Sequence, residues 1–197
     1  MTARGTRPLV YLIATTVDGF IADGHGSADG FPQHLDTLRE LFARYPETCP
    51  AHLRAHFGVT EERRTFDTVV MGARTHQPAL DAGLTSAYPH LDQHVVTHRR
   101  DLPADDTVRA WSGDPVELVR DLKARPGRGI WLCGGADLAA QLAPEIDELH
   151  VKVYPVVFGH GIPLFRSVVD LPLALVSSEA WPGGVVLNVY RRAPAVQ

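Results

Sequence analysis

Lysine is almost missing from this 197-residue chain, with Lys123 and Lys152 set against 17 arginines. Arginine suits fixed, forked recognition of phosphate better than lysine does, although the same bias also follows from genomic composition. Cysteine is nearly as scarce. Two residues, Cys49 and Cys133, leave no room for a disulfide framework and fit a reducing compartment. Cys133 ends the apolar run Ile130-Trp131-Leu132-Cys133 and reads as buried filler. An excess of positive charge is also lacking. A net charge of −4 removes the electrostatic case for binding nucleic acid or an anionic membrane surface. No apolar run approaches the roughly 20 residues a membrane helix needs. The basic start, Met1 to Pro8, is followed by a short apolar stretch that reaches Asp18 with no cleavage-type site. A signal peptide is therefore not expected, and the cytoplasm is the expected location.

Several catalytic signatures are missing too. The dinucleotide fingerprint G-x-G-x-x-G does not follow the first strand, and Gly159-His160-Gly161 lacks the third glycine. There is no nucleophile elbow and no zinc-deaminase pattern. Cys49, His52 and His56 have ligand-like spacing, but no fourth ligand is evident and no metal is expected.

What remains has an ordinary globular composition, 45% hydrophobic and 21% charged, with no internal repeat, and suits one domain over 1–197. Leu9 to Thr16 is a continuous apolar run and reads as a buried strand, continued with a glycine break through Val17 to Ala22. Asp23 to Gly30 is a loop. Leu35, Leu38, Leu41 and Phe42 predict an amphipathic helix over His34 to Tyr45. A short helix and linker are expected within Ala51 to Arg64. Strands are expected at Thr68 to Gly72, His94 to Thr97, Ile130 to Cys133 and Glu148 to Val157. A helix opens at Pro115, and another spans Ala136 to Leu142. Leu173 to Ser178 and Val185 to Tyr190 form a terminal hairpin around Pro182-Gly183-Gly184. Alternating strands and helices followed by strands predict an α/β fold. Its sheet is mixed but mainly parallel, with helices on both faces.

Three strand ends carry chemistry. Gly134-Gly135 lets backbone approach a ligand with no Cβ in the way, and a helix start just beyond suits a phosphate. After Val69-Val70-Met71-Gly72 come Arg74 and Thr75, a cation and a hydroxyl. Thr97, His98, Arg99 and Arg100 form a basic strand end that suits the extra phosphate of NADPH. Alone, the diglycine reads equally well as a ligand-free turn, and the other two strand ends read more readily as polar surface. Together they match the rule that open α/β sheets bind ligands at the carboxyl ends of their strands.

Five segments resemble a known family in the order they occur. They are VYLIATTVDGFIA (Val10 to Ala22), VMGARTHQ (Val70 to Gln77), VVTHRRDL (Val95 to Leu102), LCGGADL (Leu132 to Leu138) and DELHVKVYPVVFGHGIPLF (Asp147 to Phe165). The chain resembles the dihydrofolate-reductase-like superfamily, in the branch of the reductase domain of riboflavin-biosynthesis deaminase–reductases. The resemblance leaves out roughly Gln33 to Arg64, which is expected to be a helical insertion. It implies a dihydrofolate-reductase-like sheet of about eight strands and an NADPH-dependent reductase acting on a pterin-like or pyrimidine-like heterocycle. It implies that Gly134 and Gly135, through a cis peptide, approach the nicotinamide and pyrophosphate, with Ala136, Asp137 and Leu138 beside them. Ala14, Ile21 and Ala22 match nicotinamide-lining positions, Gly72, Arg74 and Thr75 match phosphate contacts, and Thr97, His98 and Arg99 match the adenosine-phosphate side. Ala73 stands where the family usually has an arginine, and His76 and Gln77 replace an aromatic and an acid, which weakens the expected phosphate clamp. Asp18 and Asp29 are the acid candidates. Asp18 also suits bracing of its own loop through backbone N–H groups. A homodimer is implied, with part of the 148–157 strand pairing two subunits. The competing reading is a non-catalytic ligand-binding protein that keeps the fold.

Overall fold

The computed structural model describes residues 7–61, 63–99 and 101–194. Residues 1–6 of the basic start, Arg100 of the basic strand end and 195–197 of the tail lie outside the described residues. The elements run β1 (Leu9–Thr16), β2 (Phe20–Ala22), α1 (Leu35–Arg44), α2 (Ala51–Phe57), β3 (Phe66–Gly72), α3 (Ala73–Asp81), β4 (Asp92–Val96), β5 (Val108–Trp111), α4 (Pro115–Ala124), β6 (Gly129–Gly134), α5 (Ala136–Leu142), β7 (Glu148–Tyr154), β8 (Ile162–Pro163), β9 (Leu173–Ala180) and β10 (Val186–Arg192). Eight strands form one sheet in the order β5-β4-β3-β6-β1-β7-β10-β9. Pairing is parallel from β5 through to β7. It turns antiparallel where β10 meets β7 and β9. This is the mixed, mainly parallel sheet with a terminal hairpin that the strand and helix order predicted.

The parallel strands are apolar at nearly every position because both faces are covered. Val10 and Leu12, with Val69, Met71 and Trp131, face a core closed by Leu41, Phe42 and Tyr45 from the α1 region. Leu9 and Tyr11, with Val70, Ile130 and Leu132, face a second core closed by α4 and α5. Helix α4 starts as its sequence indicates. Pro115 occupies the first turn, and Asp114 accepts a hydrogen bond from the Val116 N–H at 2.9 Å.

Several expectations are corrected. The apolar pair after Gly19 does not prolong β1. The chain takes a positive φ of 86° at Gly19, and β2 pairs instead with β8 in a separate two-stranded sheet. Strand β7 stops at Tyr154, because Pro155 has no N–H for the ladder. Nor does β7 have an edge to offer a second subunit, since β1 and β10 flank it along its length. Helix α3 follows Gly72 at once, in place of the expected turn. Pro78 inside the helix had masked the periodicity. Strand β5 was not foreseen, being four residues long and at the sheet edge. In α1, Leu35 is 52% exposed, while Thr37 is buried and donates to the Pro182 carbonyl at 2.6 Å.

The 33–64 segment is knit into the first core through Leu41, Phe42, Tyr45 and Cys49. Its key polar residue is Glu47, fully buried at 0% exposure. The carboxylate accepts hydrogen bonds from the N–H groups of Thr65 at 2.8 Å, Phe66 at 2.7 Å and Arg64 at 3.2 Å, and so fixes the entry into β3. Glu47→Ala strands those donors and is expected to cost about 2–4 kcal/mol, read as a lower urea midpoint at unchanged m. A change under about 0.5 kcal/mol would refute this role.

Candidate functional site

β3 and β6 are parallel neighbours, so their carboxyl ends emerge side by side. Each strand passes directly into a helix, with Gly72 capping α3 and Gly135 capping α5. The Gly134–Gly135 peptide is cis, and Gly134 has φ +127°. The two corners nearly touch. A Cβ placed on Gly72 would meet the Gly134 carbonyl at 3.9 Å. One on Gly134 would meet Ile13 Cδ1 at 3.6 Å and Thr75 Oγ1 at 3.8 Å, and one on Gly135 would meet the same hydroxyl at 3.7 Å. Side chains here would fill the gap between the two corners. Without them, the diglycine backbone, the Thr75 hydroxyl and the start of α3 lie close together, and amide groups with the positive dipole end favour an anion there.

Cations rim that corner. Arg74 on the first turn of α3 donates to Asp137 on the first turn of α5 at 2.7 Å. Arg166 reaches the other oxygen of Asp137 at 3.2 Å, and its backbone N–H donates to the Ala136 carbonyl at 3.2 Å. One carboxylate thus faces two guanidinium groups. Arg166 was missed in the sequence because it lies some 30 residues downstream of the diglycine, beyond the short strand β8. Ala136 and Leu138 are buried, at 3% and 5% exposure, Leu138 in the second core, so what they can offer a ligand is backbone.

The third strand end joins the same side. Arg99 pairs with Asp101 through two contacts of 3.0 Å and donates to Gln77 of α3 at 2.9 Å. That pairing raises the Arg99 pKa and lowers that of Asp101. Thr97 is buried and its hydroxyl accepts from the Arg99 N–H at 3.0 Å, while His98 is exposed. Ala14 is half-buried on β1, directly opposite Lys152 of β7. Ile21 and Ala22 sit on the small sheet, with Ala22 buried at 7% exposure.

Asp18 is exposed, and its carboxylate accepts from the N–H groups of Gly159 at 2.7 Å and Phe158 at 3.3 Å. Its pKa is lowered, chiefly by a hydrogen bond with Thr16 and further by those two amides. Asp29 is exposed in the following loop. Its neighbour Gly30 lies against the Phe158 ring, where a Cβ would come within 2.9 Å.

A cavity of about 280 Å³ opens beside the corner, lined by Met71, Thr75, His76, Tyr88, Cys133 and, from α2, His52. Burial pushes the Cys133 thiol up to about 12, so it is a neutral, unreactive wall. His76 has a pKa lowered by burial, and its Nδ1 has no partner among the described residues. A second hollow of about 300 Å³ lies between α1 and the end of α2, lined by Arg39, Phe42, Phe57 and Arg64, and it touches none of the strand-end residues. Among the described residues no three His, Cys, Asp or Glu side chains gather as a metal site, so Cys49, His52 and His56 do not act together. Nor, among those residues, is any helix long and apolar enough to cross a membrane.

The chain is 31% identical over 190 residues to the uncharacterized protein YwjB of Bacillus subtilis (strain 168), covering 94% of this chain and 98% of that one. Among solved structures it is similar to a putative riboflavin biosynthesis protein from Shewanella sp. PV-4. The TM-score is 0.69 and the identity 23%, over 95% of this chain and 99% of that chain. It is also similar to dihydrofolate reductase from Enterococcus faecalis, solved with NADP(H) bound. There the TM-score is 0.62 and the identity 17%, over 95% and 97% of the two chains. These likenesses establish the dihydrofolate-reductase-like fold. The RibD C-terminal domain family matches residues 7–187, nearly the whole chain, and the protein belongs to that family.

Proposed function

We propose that the protein is an NADPH-dependent reductase that delivers a hydride to a small pterin-like or pyrimidine-like heterocycle. The observation that carries this reading is the bare diglycine corner packed against the start of α3, under a rim of arginines. The residues present suit a dinucleotide. A Cβ at Gly134 or Gly135 would occupy the gap against Thr75, which is the space a pyrophosphate needs. Gly72, Arg74, Thr75 and the backbone of residues 134–138 would hold the diphosphate, and Thr97, His98 and Arg99 the 2′-phosphate. Ala14, Ile21 and Ala22 would border the nicotinamide. The E. faecalis relative, solved with NADP(H), supports the cofactor by analogy of fold. When bound, the cofactor supplies the hydride. The 280 Å³ cavity beside Thr75 and Cys133 suits one heterocyclic ring system, and its apolar walls exclude water. Asp29 is assigned a substrate-side contact and Asp18 the brace that positions the 158–159 loop. An NADPH-fed reaction fits the cytoplasm.

Fluorescence titration with NADPH is the direct test, with saturation expected at micromolar concentrations. Gly135→Val should abolish binding while leaving the unfolding transition in place. Gly135 has φ −89°, which any residue adopts, so the variant tests occupied space rather than strain. Wild-type failure to bind at millimolar NADPH would leave the non-catalytic reading standing.

For Asp18 the lowered pKa fixes the sign. The brace is complete above the ordinary carboxylate range and is lost as pH falls through the folded value. Asp18→Ala at neutral pH should therefore lower the amide-exchange protection of Phe158 and Gly159, as acid does in the wild type. Unchanged protection would show that the brace is idle.

We also propose a homodimer, formed through β9 rather than β7. Strand β9 lies at the sheet edge with Leu175 and Val176 at 59% and 53% exposure. Light scattering should give twice the chain mass for the wild type and a single chain for Leu175→Glu/Val176→Lys; a monomeric wild type would remove the proposal.

A further inference from the structure

Lys152 is one of two lysines in the chain, and it stands in an unusual place. It lies on β7, inside the sheet, level with Ala14 of β1 on one side and Leu187 of β10 on the other. It shares the face of His150 and Tyr154, which is the face of the first core, where Ala14, Cys133 and Leu187 also pack. Cys133 is the titratable group that bears on it electrostatically, and Cys133 both lines the 280 Å³ cavity and precedes Gly134. Among the described residues no hydrogen bond or ion pair engages the ammonium, whereas Lys123 is held by Glu145 and Asp147. Lys152 is half-buried, and an ammonium with no anion paired to it on the core side of a sheet is a placement that concentrates where chemistry needs it.

We propose that Lys152 is the proton donor that accompanies hydride transfer in this protein. The inference rests on the reductase reading above. The substrate carbon of a C=N or C=O bond gains the hydride from the reduced nicotinamide. The π pair moves to the heteroatom, which takes a proton from the Lys152 ammonium, and the neutral amine regains its proton from water. Burial pushes the Lys152 pKa down to about 8, which keeps the ammonium dominant at neutral pH while making it a far better acid than an ordinary lysine. The neighbouring groups do not compete for that role. Cys133 is held neutral, and Tyr154, Tyr45 and Tyr88 are all raised by burial. His150 is engaged by Glu148 at 3.0 Å and by the Tyr45 hydroxyl at 2.9 Å. Ala14 and Leu187, the residues level with it on β1 and β10, carry no charge.

The scarcity of lysine makes the test direct. Protein labelled with 13C at lysine Cε gives two signals, assigned with Lys123→Arg. In the free protein the Lys152 signal should titrate near pH 8. NADP+ and NADPH carry the same phosphates and differ in the charge of the ring, so a Lys152 midpoint at least about half a unit lower with NADP+ than with NADPH places the amine at the reacting ring. By linkage, the NADP+ affinity relative to that for NADPH should then rise about threefold between pH 7 and pH 9 in the wild type, and not in Lys152→Met. Pterin and aminopyrimidine acceptors supply the kinetic arm. With one that the wild type reduces, Lys152→Met should lose about 100-fold or more in kcat with KM and NADPH affinity within threefold. Lys152→Arg should lose as much, because guanidinium does not give up its proton. Restoration of kcat by Lys152→Arg would make the residue a fixed anion anchor and overturn the proposal. So would equal Lys152 midpoints with the two nucleotides. If the wild type binds neither nucleotide, the reductase reading falls first and this inference with it.

Discussion

The arrangement depends on two parallel strands delivering two strand-to-helix corners to one place with no Cβ between them. β3 and β6 are hydrogen-bonded neighbours, so neither corner can move without the other. The gap survives because positions 72, 134 and 135 are glycine, and Gly134 also needs φ +127°, which other residues rarely adopt. The hydroxyl of Thr75, the Arg74 and Arg166 pairs on Asp137, and the Arg99 link to Gln77 all hang from the helices that begin there. These rim pairs are exposed, so they add little to stability. Their importance is positional, since they keep guanidinium groups close to the corner.

The rigidity behind the corner comes from elsewhere. Two cores clamp the sheet, one under the α1 region and one under α4 and α5. In the first core, polar groups are placed where strands enter. The Glu47 carboxylate collects the N–H groups that open β3, and the line from Glu148 through His150 to the Tyr45 hydroxyl ties β7 to the 33–64 segment. That segment is therefore part of the platform on which the strand ends stand.

Much of the fold was legible because its signals are local. The apolar run of β1 reads as strand over its whole length, and Pro115 with Asp114 marks the start of α4. What escaped was either short or contradicted by one residue. β5 and β8 span four and two residues, and Pro78 disguises α3. At the site, the diglycine and Arg74 could be picked out from neighbouring sequence. Arg166, Glu47 and Lys152 could not, because their meaning lies in what they touch or fail to touch across long stretches of chain. Lys152 in particular looks like an ordinary outward lysine of an alternating strand until its neighbours on both sides are seen to be interior strands.

The alanine at position 73 does not empty the clamp of charge. A guanidinium at 73 would sit on the first residue of α3, whereas Arg74 is turned toward α5 and meets Asp137. Arg166 arrives at the same carboxylate from beyond β8. Two cations against one anion leave a net positive charge at the mouth of the corner, and the pairs are exposed enough for solvent to weaken them. A phosphate approaching the backbone amides therefore meets guanidinium groups already positioned and only partly neutralised. At the proposed phosphate site the cations come from a residue one position on and from another 92 positions further along, a tertiary arrangement in place of a local motif.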